Sequence, residues 1–125
     1  MSGILIIAEH IQGTLRDITG EMIGSAASIK QAYGGPVNLA IISDNPDALT
    51  DDCNLAGVDE IFTVKVNSPD FDAAVYEEVA CQIGAQTKPG LILFGHTVNG
   101  MACSSAVAAR LGAGYASDVF VLDVE

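Results

Sequence analysis

Two histidines and a glutamate occupy the places where chemistry could happen in this chain. Glu9-His10 directly follows the apolar run Ile4-Leu5-Ile6-Ile7-Ala8. His96 follows a second run, Leu91 to Phe94, inside the segment Gly95-His96-Thr97-Val98-Asn99-Gly100. Imidazole is the side chain that titrates near neutral pH, and it is also a common metal ligand. An acid/base pair or a two-His, one-Glu metal set is therefore conceivable. A general base needs a nucleophile or electrophile beside it. Thr97 and Asn99 are available, but no strained nucleophile elbow is visible, and the spacing of Glu9, His10 and His96 matches no metal signature. The same loop resembles a phosphate-cradling turn ahead of a helix N-terminus, where free N–H groups attract anions. Against that, the loop has no Lys or Arg, the first strand–helix turn lacks the dinucleotide glycine fingerprint, and there is no glycine–lysine phosphate loop. Nucleotide-binding universal-stress-like domains carry a later glycine followed by Ser or Thr; here the comparable stretch reads Arg110-Leu111-Gly112-Ala113. No catalytic residue or metal ligand is assigned. Glu9, His10, Gly95, His96, Thr97 and Gly100 stand as crevice candidates, and a tight loop packing small residues on a neighbour is the plainer reading.

These residues need elements to position them. The run Ile4 to Ala8 reads as a fully buried strand, since continuous short apolar runs suit sheets covered on both faces. Arg16 to Tyr33 has helical periodicity, with Ile18, Met22, Ala26, Ile29 and Tyr33 on one face. Gly20 and Gly24 each cost that helix about 1 kcal/mol against Ala, so a close contact with the sheet is expected there. Gly34-Gly35-Pro36 ends the helix. Val37 to Ile42 is a second strand, Asp47 to Ala56 a short helix, and Asp59 to Val66 a third, less apolar strand nearer an edge. Phe71 to Gln86 is helical with Val75, Val79 and Ile83 inward. Leu91 to Phe94 is the fourth strand. A loop then leads to the small-residue helix Met101 to Leu111, and Tyr115 to Val124 carries a fifth strand. The alternation predicts an open three-layer, Rossmann-like α/β domain, which resembles the adenine nucleotide alpha hydrolase-like kind. Its mostly parallel sheet has about five strands in the order 3-2-1-4-5. The switch point of that order falls between the first and fourth strands, which brings the segments carrying Glu9-His10 and Gly95 to Gly100 together.

Composition bounds the partners. The 125 residues fit one domain, and half are hydrophobic. Five basic against sixteen acidic residues give a formal charge of −11. Such a field repels phosphate backbones, so nucleic acid is not expected as a partner. Cys53, Cys81 and Cys103 are an odd number without close pairs, neither a disulfide framework nor a zinc site. They point to a reducing compartment, the bacterial cytoplasm ahead of the mitochondrial matrix. No apolar run reaches transmembrane length, so no membrane insertion is expected.

Several segments resemble one family. Ile4-Leu5-Ile6-Ile7-Ala8-Glu9-His10 resembles the opening strand of the electron transfer flavoprotein alpha subunit, and Leu15-Arg16-Asp17-Ile18-Thr19 the start of its first helix. Leu93-Phe94-Gly95-His96-Thr97, Val107 to Gly114 and Ser117-Asp118-Val119 are similar to its fourth-strand block. The resemblance implies a heterodimeric electron carrier. In that family the alpha subunit's C-terminal domain holds FAD, takes electrons from dehydrogenases such as acyl-CoA dehydrogenases, and passes them to a quinone reductase or another acceptor. The N-terminal domain packs on the beta subunit as a scaffold. Residues 1–125 are similar to that N-terminal domain alone, as a truncated piece, a proteolytic fragment or a standalone homologue, with the FAD domain absent. One position departs from the family: Lys or Arg usually follows Gly100, and here it is Met101. The resemblance implies no enzyme activity, no cofactor in this stretch, and the beta subunit as partner. The isolated chain is expected to self-associate through Met101, Val107, Phe120 and Leu122. The alternative is a small AMP- or ATP-binding module of universal-stress-like architecture; a hydrolase using His10 or His96 is a third class.

Overall fold

A computed structural model describes residues 3–11, 14–33, 35–53, 57–67, 71–94, 98–111, 114–116 and 120–123. Three strands, β1 (Ile4–Ile7), β4 (Val37–Ser43) and β6 (Leu91–Phe94), are buried at every position. Their branched aliphatics face helices on both sides. Leu5, Ile7, Ala40, Ile42, Ile92 and Phe94 pack with α3 (Ala73–Thr87) and α4 (Val98–Leu111). Ile4, Ile6, Leu39, Ile41 and Leu93 pack with Met22, Ile23 and Ala26 of α1 (Asp17–Tyr33) on the other face. Burying each Ile or Leu side chain stabilises the fold by about 1.5–3 kcal/mol, so this sandwich supplies most of the core.

The main sheet has six strands in the order β5-β4-β1-β6-β8-β7, with β5 at Glu60–Lys65, β7 at Gly114–Ala116 and β8 at Phe120–Asp123. The first four are parallel. β5 is an edge strand with alternating exposure, as its thinner apolar content implied. The predicted order holds through the fourth strand and then changes. The expected single fifth strand is two strands, with β8 antiparallel to β6 and β7 antiparallel to β8. After α4 the chain therefore returns as β7 one place further out, and β8 fills the gap in reverse. An antiparallel return needs only a short turn, and the interval between the two strands contains Ser117 and Asp118, both turn-forming residue types.

Other boundaries differ from expectation for identifiable reasons. Pro46–Leu49 is a 3-10 turn that passes into a one-turn helix α2 (Thr50–Cys53). Helix α3 buries Tyr76, Ala80, Ile83 and Gly84, while Val75 and Val79 flank the core. Gly84 lies close against α4: a Cβ there would stand 3.2 Å from a Leu111 methyl, which would have to give by a few tenths of an ångström. Helix α4 starts at Val98, so Asn99 and Gly100 belong to its first turn and not to a loop. Gly20 and Gly24 are exposed, and a Cβ on either meets nothing within 4 Å. The expected close contact with the sheet is absent there, because α1 turns Met22, Ile23 and Ala26 inward instead. The side chains of Ile29, Tyr33, Met101, Phe120 and Leu122 lie outside the described residues. Val107, offered as a self-association residue, is fully buried in the core and unavailable for that role.

Candidate functional site

Chemistry in an open parallel sheet concentrates beyond the carboxyl ends of the strands, where the order reverses. Here that place is the end of β1 beside β6. The β1 chain leaves the sheet after Ala8, whose N–H donates to the Ala40 carbonyl at 3.0 Å. It then forms a small hairpin of β2 (His10–Ile11) and β3 (Thr14–Leu15), with His10 opposite Leu15 and Ile11 opposite Thr14.

Glu9 and His10 are both buried, 4% and 6% exposed. Thr19, on the first turn of α1, clamps the backbone of Glu9: its Oγ1 accepts from the Glu9 N–H at 2.9 Å and donates to the Glu9 carbonyl at 3.1 Å. The Arg16 guanidinium lies 3.6 Å from Glu9 Oε2, an ion pair with one partner half in water and the other buried. The His10 imidazole donates from Nε2 to the Ile42 carbonyl at 2.7 Å. The Tyr76 hydroxyl, from α3, donates to the same carbonyl at 3.0 Å and lies 3.3 Å from His10 Nε2. His10 Nδ1 is buried and has no hydrogen-bond partner among the described residues.

The electrostatics follow from burial. Burial pushes the Tyr76 phenol well above the usual tyrosine range, and the nearby Glu9 carboxylate pushes it further. The Cys103 thiol on α4 rises to about 12, again by burial first and Glu9 second. Both groups therefore stay protonated at neutral pH, and both sense Glu9, whose negative charge lies within the cluster.

Among the described residues this arrangement gives His10 and Tyr76 structural work. The Nε2 proton of His10 is committed to a backbone carbonyl, Nδ1 is closed to solvent, and the phenol is too weak an acid to act near pH 7. A buried carboxylate at the switch point also opposes phosphate. Among the described residues no group of three or more His, Cys, Asp or Glu is placed to hold a metal. The structure thus joins the sequence candidates Glu9 and His10 to Thr19, Tyr76 and Cys103. Gly95, His96 and Thr97 lie outside the described residues, and Gly100 is placed only as backbone in the first turn of α4. Thr19 and Tyr76 were missed. Their only signal was a polar or amphipathic residue on an otherwise apolar helix face, an expectation easily read as plain core.

A cavity of about 320 Å³ lies elsewhere, lined by Thr50, Asp51, Val58, Asp59 and Ile61. Asp59 works structurally there, its Oδ2 accepting from the Val37 N–H at 2.8 Å. Two carboxylates make this cleft as poor a phosphate receptor as the cluster at β1. Among the described residues no helix is long and apolar enough to cross a membrane.

Comparison with known proteins places this geometry in context. Residues 4–125 match the model of the electron transfer flavoprotein domain. The chain is 35% identical over 125 residues to the electron transfer flavoprotein subunit alpha of Methylophilus methylotrophus, covering 100% of this chain and 39% of that protein. It is 30% identical over 124 residues to the lactate dehydrogenase (NAD(+),ferredoxin) subunit LctC of Acetobacterium woodii, covering 98% and 30%. Protein FixB of Clostridium saccharobutylicum is 27% identical over 126 residues, with 98% and 37% covered. The chain spans between 30% and 39% of the length of these three curated relatives.

Proposed function

Since the chain belongs to the electron transfer flavoprotein domain family, we propose that residues 1–125 form the N-terminal scaffold and interaction domain of an alpha-type subunit. In this reading the whole protein is a heterodimeric FAD-containing carrier that moves electrons from dehydrogenases to an acceptor such as a quinone reductase. This stretch contributes surface and no catalysis. The observation that carries the reading is similarity along the whole chain to alpha subunits, with one uninterrupted family match over residues 4–125.

The residues described here do not fit FAD. Its pyrophosphate calls for backbone N–H groups or basic side chains; α4 begins near the switch point, but the charged side chains described there are a buried Glu9 and an Arg16 already paired with it. The Asp51–Asp59 cleft is acidic as well. In the proposed assembly FAD is held by another domain, and no step of its chemistry is assigned to these residues. The same charges disfavour the AMP- or ATP-binding alternative. Bacterial relatives and three buried free cysteines support placement in the bacterial cytoplasm.

Docking on a beta-type subunit is the testable content. The chain is mixed with the electron transfer flavoprotein beta subunit of its own organism and followed by sedimentation velocity. A one-to-one complex is expected. Two species sedimenting independently at every concentration would remove the interaction-domain reading.

A further inference from the structure

The parallel ladder between β1 and β4 advances two residues at a time on each strand. The Ile4 N–H donates to the Pro36 carbonyl at 2.9 Å and the Ala8 N–H to the Ala40 carbonyl at 3.0 Å. The next step in that register would send the backbone N–H of His10 to the Ile42 carbonyl. The backbone does not go there, because the chain turns away after Ala8 into the hairpin, where His10 stands opposite Leu15 and the Arg16 N–H donates to the Glu9 carbonyl at 2.9 Å. The His10 side chain goes instead, Nε2 to the Ile42 carbonyl at 2.7 Å.

We propose that His10 is a side-chain latch: its imidazole takes the place of the missing ladder amide, and so fastens the hairpin of β2 and β3 to the sheet as a unit that can be released separately. Three observations make the unit separable. The hairpin is a two-stranded sheet of its own, with two residue pairs and no pairing to the main sheet. Its outer residue, Ile11, is 52% exposed and so contributes little to the core. The Ile42 carbonyl does not depend on the latch alone, because the Tyr76 hydroxyl donates to it at 3.0 Å. A carbonyl has two acceptor positions, so losing His10 leaves it still paired and the end of β4 intact. Small units with few apolar contacts open below the global unfolding free energy; here opening breaks the imidazole–carbonyl bond and lifts the partly buried Leu15 from the core. The latch is a positioning device that holds Ile11 at the carboxyl edge of the sheet, next to a Glu9 backbone that Thr19 clamps.

Hydrogen exchange on the intact protein tests this, read at the hairpin amides of Ile11 and Arg16, the latter bonded to the Glu9 carbonyl, and at the sheet amides of Ile6, Leu39 and Leu93. His10→Phe keeps a ring and removes the donor. It is expected to speed hairpin exchange by about tenfold or more, the signature of local opening, with sheet exchange unchanged. His10→Gln restores an N–H donor and is expected to return hairpin exchange close to the native rate. Tyr76→Phe removes the second donor, leaves the latch, and is expected to leave the hairpin protected. Unchanged hairpin exchange in His10→Phe would overturn the proposal. So would equal loss of protection in the sheet, a variant that fails to fold, or Gln exchanging as fast as Phe.

Discussion

Gly3 is held at a φ of +92°, a region that side-chain-bearing residues rarely adopt, and a methyl there would run into the Pro36 carbonyl oxygen. This tight spot starts β1: the Gly3 carbonyl accepts from the Gly90 N–H at 2.8 Å and the Ile4 N–H meets Pro36 at 2.9 Å. Gly3→Ala is expected to destabilise the fold by well over about 1 kcal/mol, read as a lower urea midpoint. Gly24 is the opposite case. It is exposed in mid-helix with open space around the Cβ position, so Gly24→Ala is expected to stabilise by about 0.5–1 kcal/mol. The same urea titration checks it, and a lower midpoint would contradict it. The Gly20/Gly24 pair shows where sequence reasoning failed at this scale. A glycine four residues from another in an apolar helix looks like a packing device, but spacing alone does not tell which side of the helix the pair lies on. Glu9 and His10 were legible because they follow a buried run directly. Tyr76 was not, because it reaches the site from a helix 66 residues away, and Thr19 was not, because nothing in its local pattern shows that its hydroxyl turns back on the Glu9 backbone ten residues earlier.

Helix α3 shows how an element is assembled from parts of different legibility. Its start is set by Asp72, whose carboxylate accepts from the N–H groups of Ala74 and Val75 at 3.0 and 3.3 Å. Its end is Lys88 in the left-handed region at φ 48°, donating back to Gly84. Its pairing with α4 includes Arg110, whose guanidinium lies 3.2 Å from both Glu77 and Glu78. The Gln82 amide, first, and Arg110, second, hold the Glu78 carboxyl below the usual carboxylate range. A carboxylate lowered in the folded state adds stability above its unfolded pKa and loses it as pH falls through the folded one. Arg110→Ala is therefore expected to lower the urea midpoint at neutral pH by a small, salt-sensitive amount, and the difference from the native chain should vanish on acidification. A difference that persists in acid would mean that Arg110 acts through its aliphatic stem. The long helices were readable from their periodicity, and the central strands from short continuous apolar runs. The split of the last strand was not, since an apolar stretch containing Ser117 and Asp118 fits one strand or a hairpin equally well until its neighbour is known.

At the scale of the whole molecule, the sheet order to the fourth strand follows from alternation of strand and helix, and it places the switch point correctly beside Glu9 and His10. What the switch point does could not be read the same way. For Glu9 and His10 burial is what counts, since it gathers His10 and Tyr76 on the Ile42 carbonyl; His96 lies outside the described residues. The chain's formal charge of −11 then favours protein partners with basic surfaces over phosphate ligands. In the proposed role these residues supply a surface and leave the flavin to another part of the protein. Gel filtration of the 125-residue chain after incubation with excess FAD tests that claim most directly, with flavin absorbance read in the protein peak. The protein is expected to emerge colourless. Flavin retained in a one-to-one ratio would contradict the account, because it would place a cofactor site among residues whose charge should exclude it.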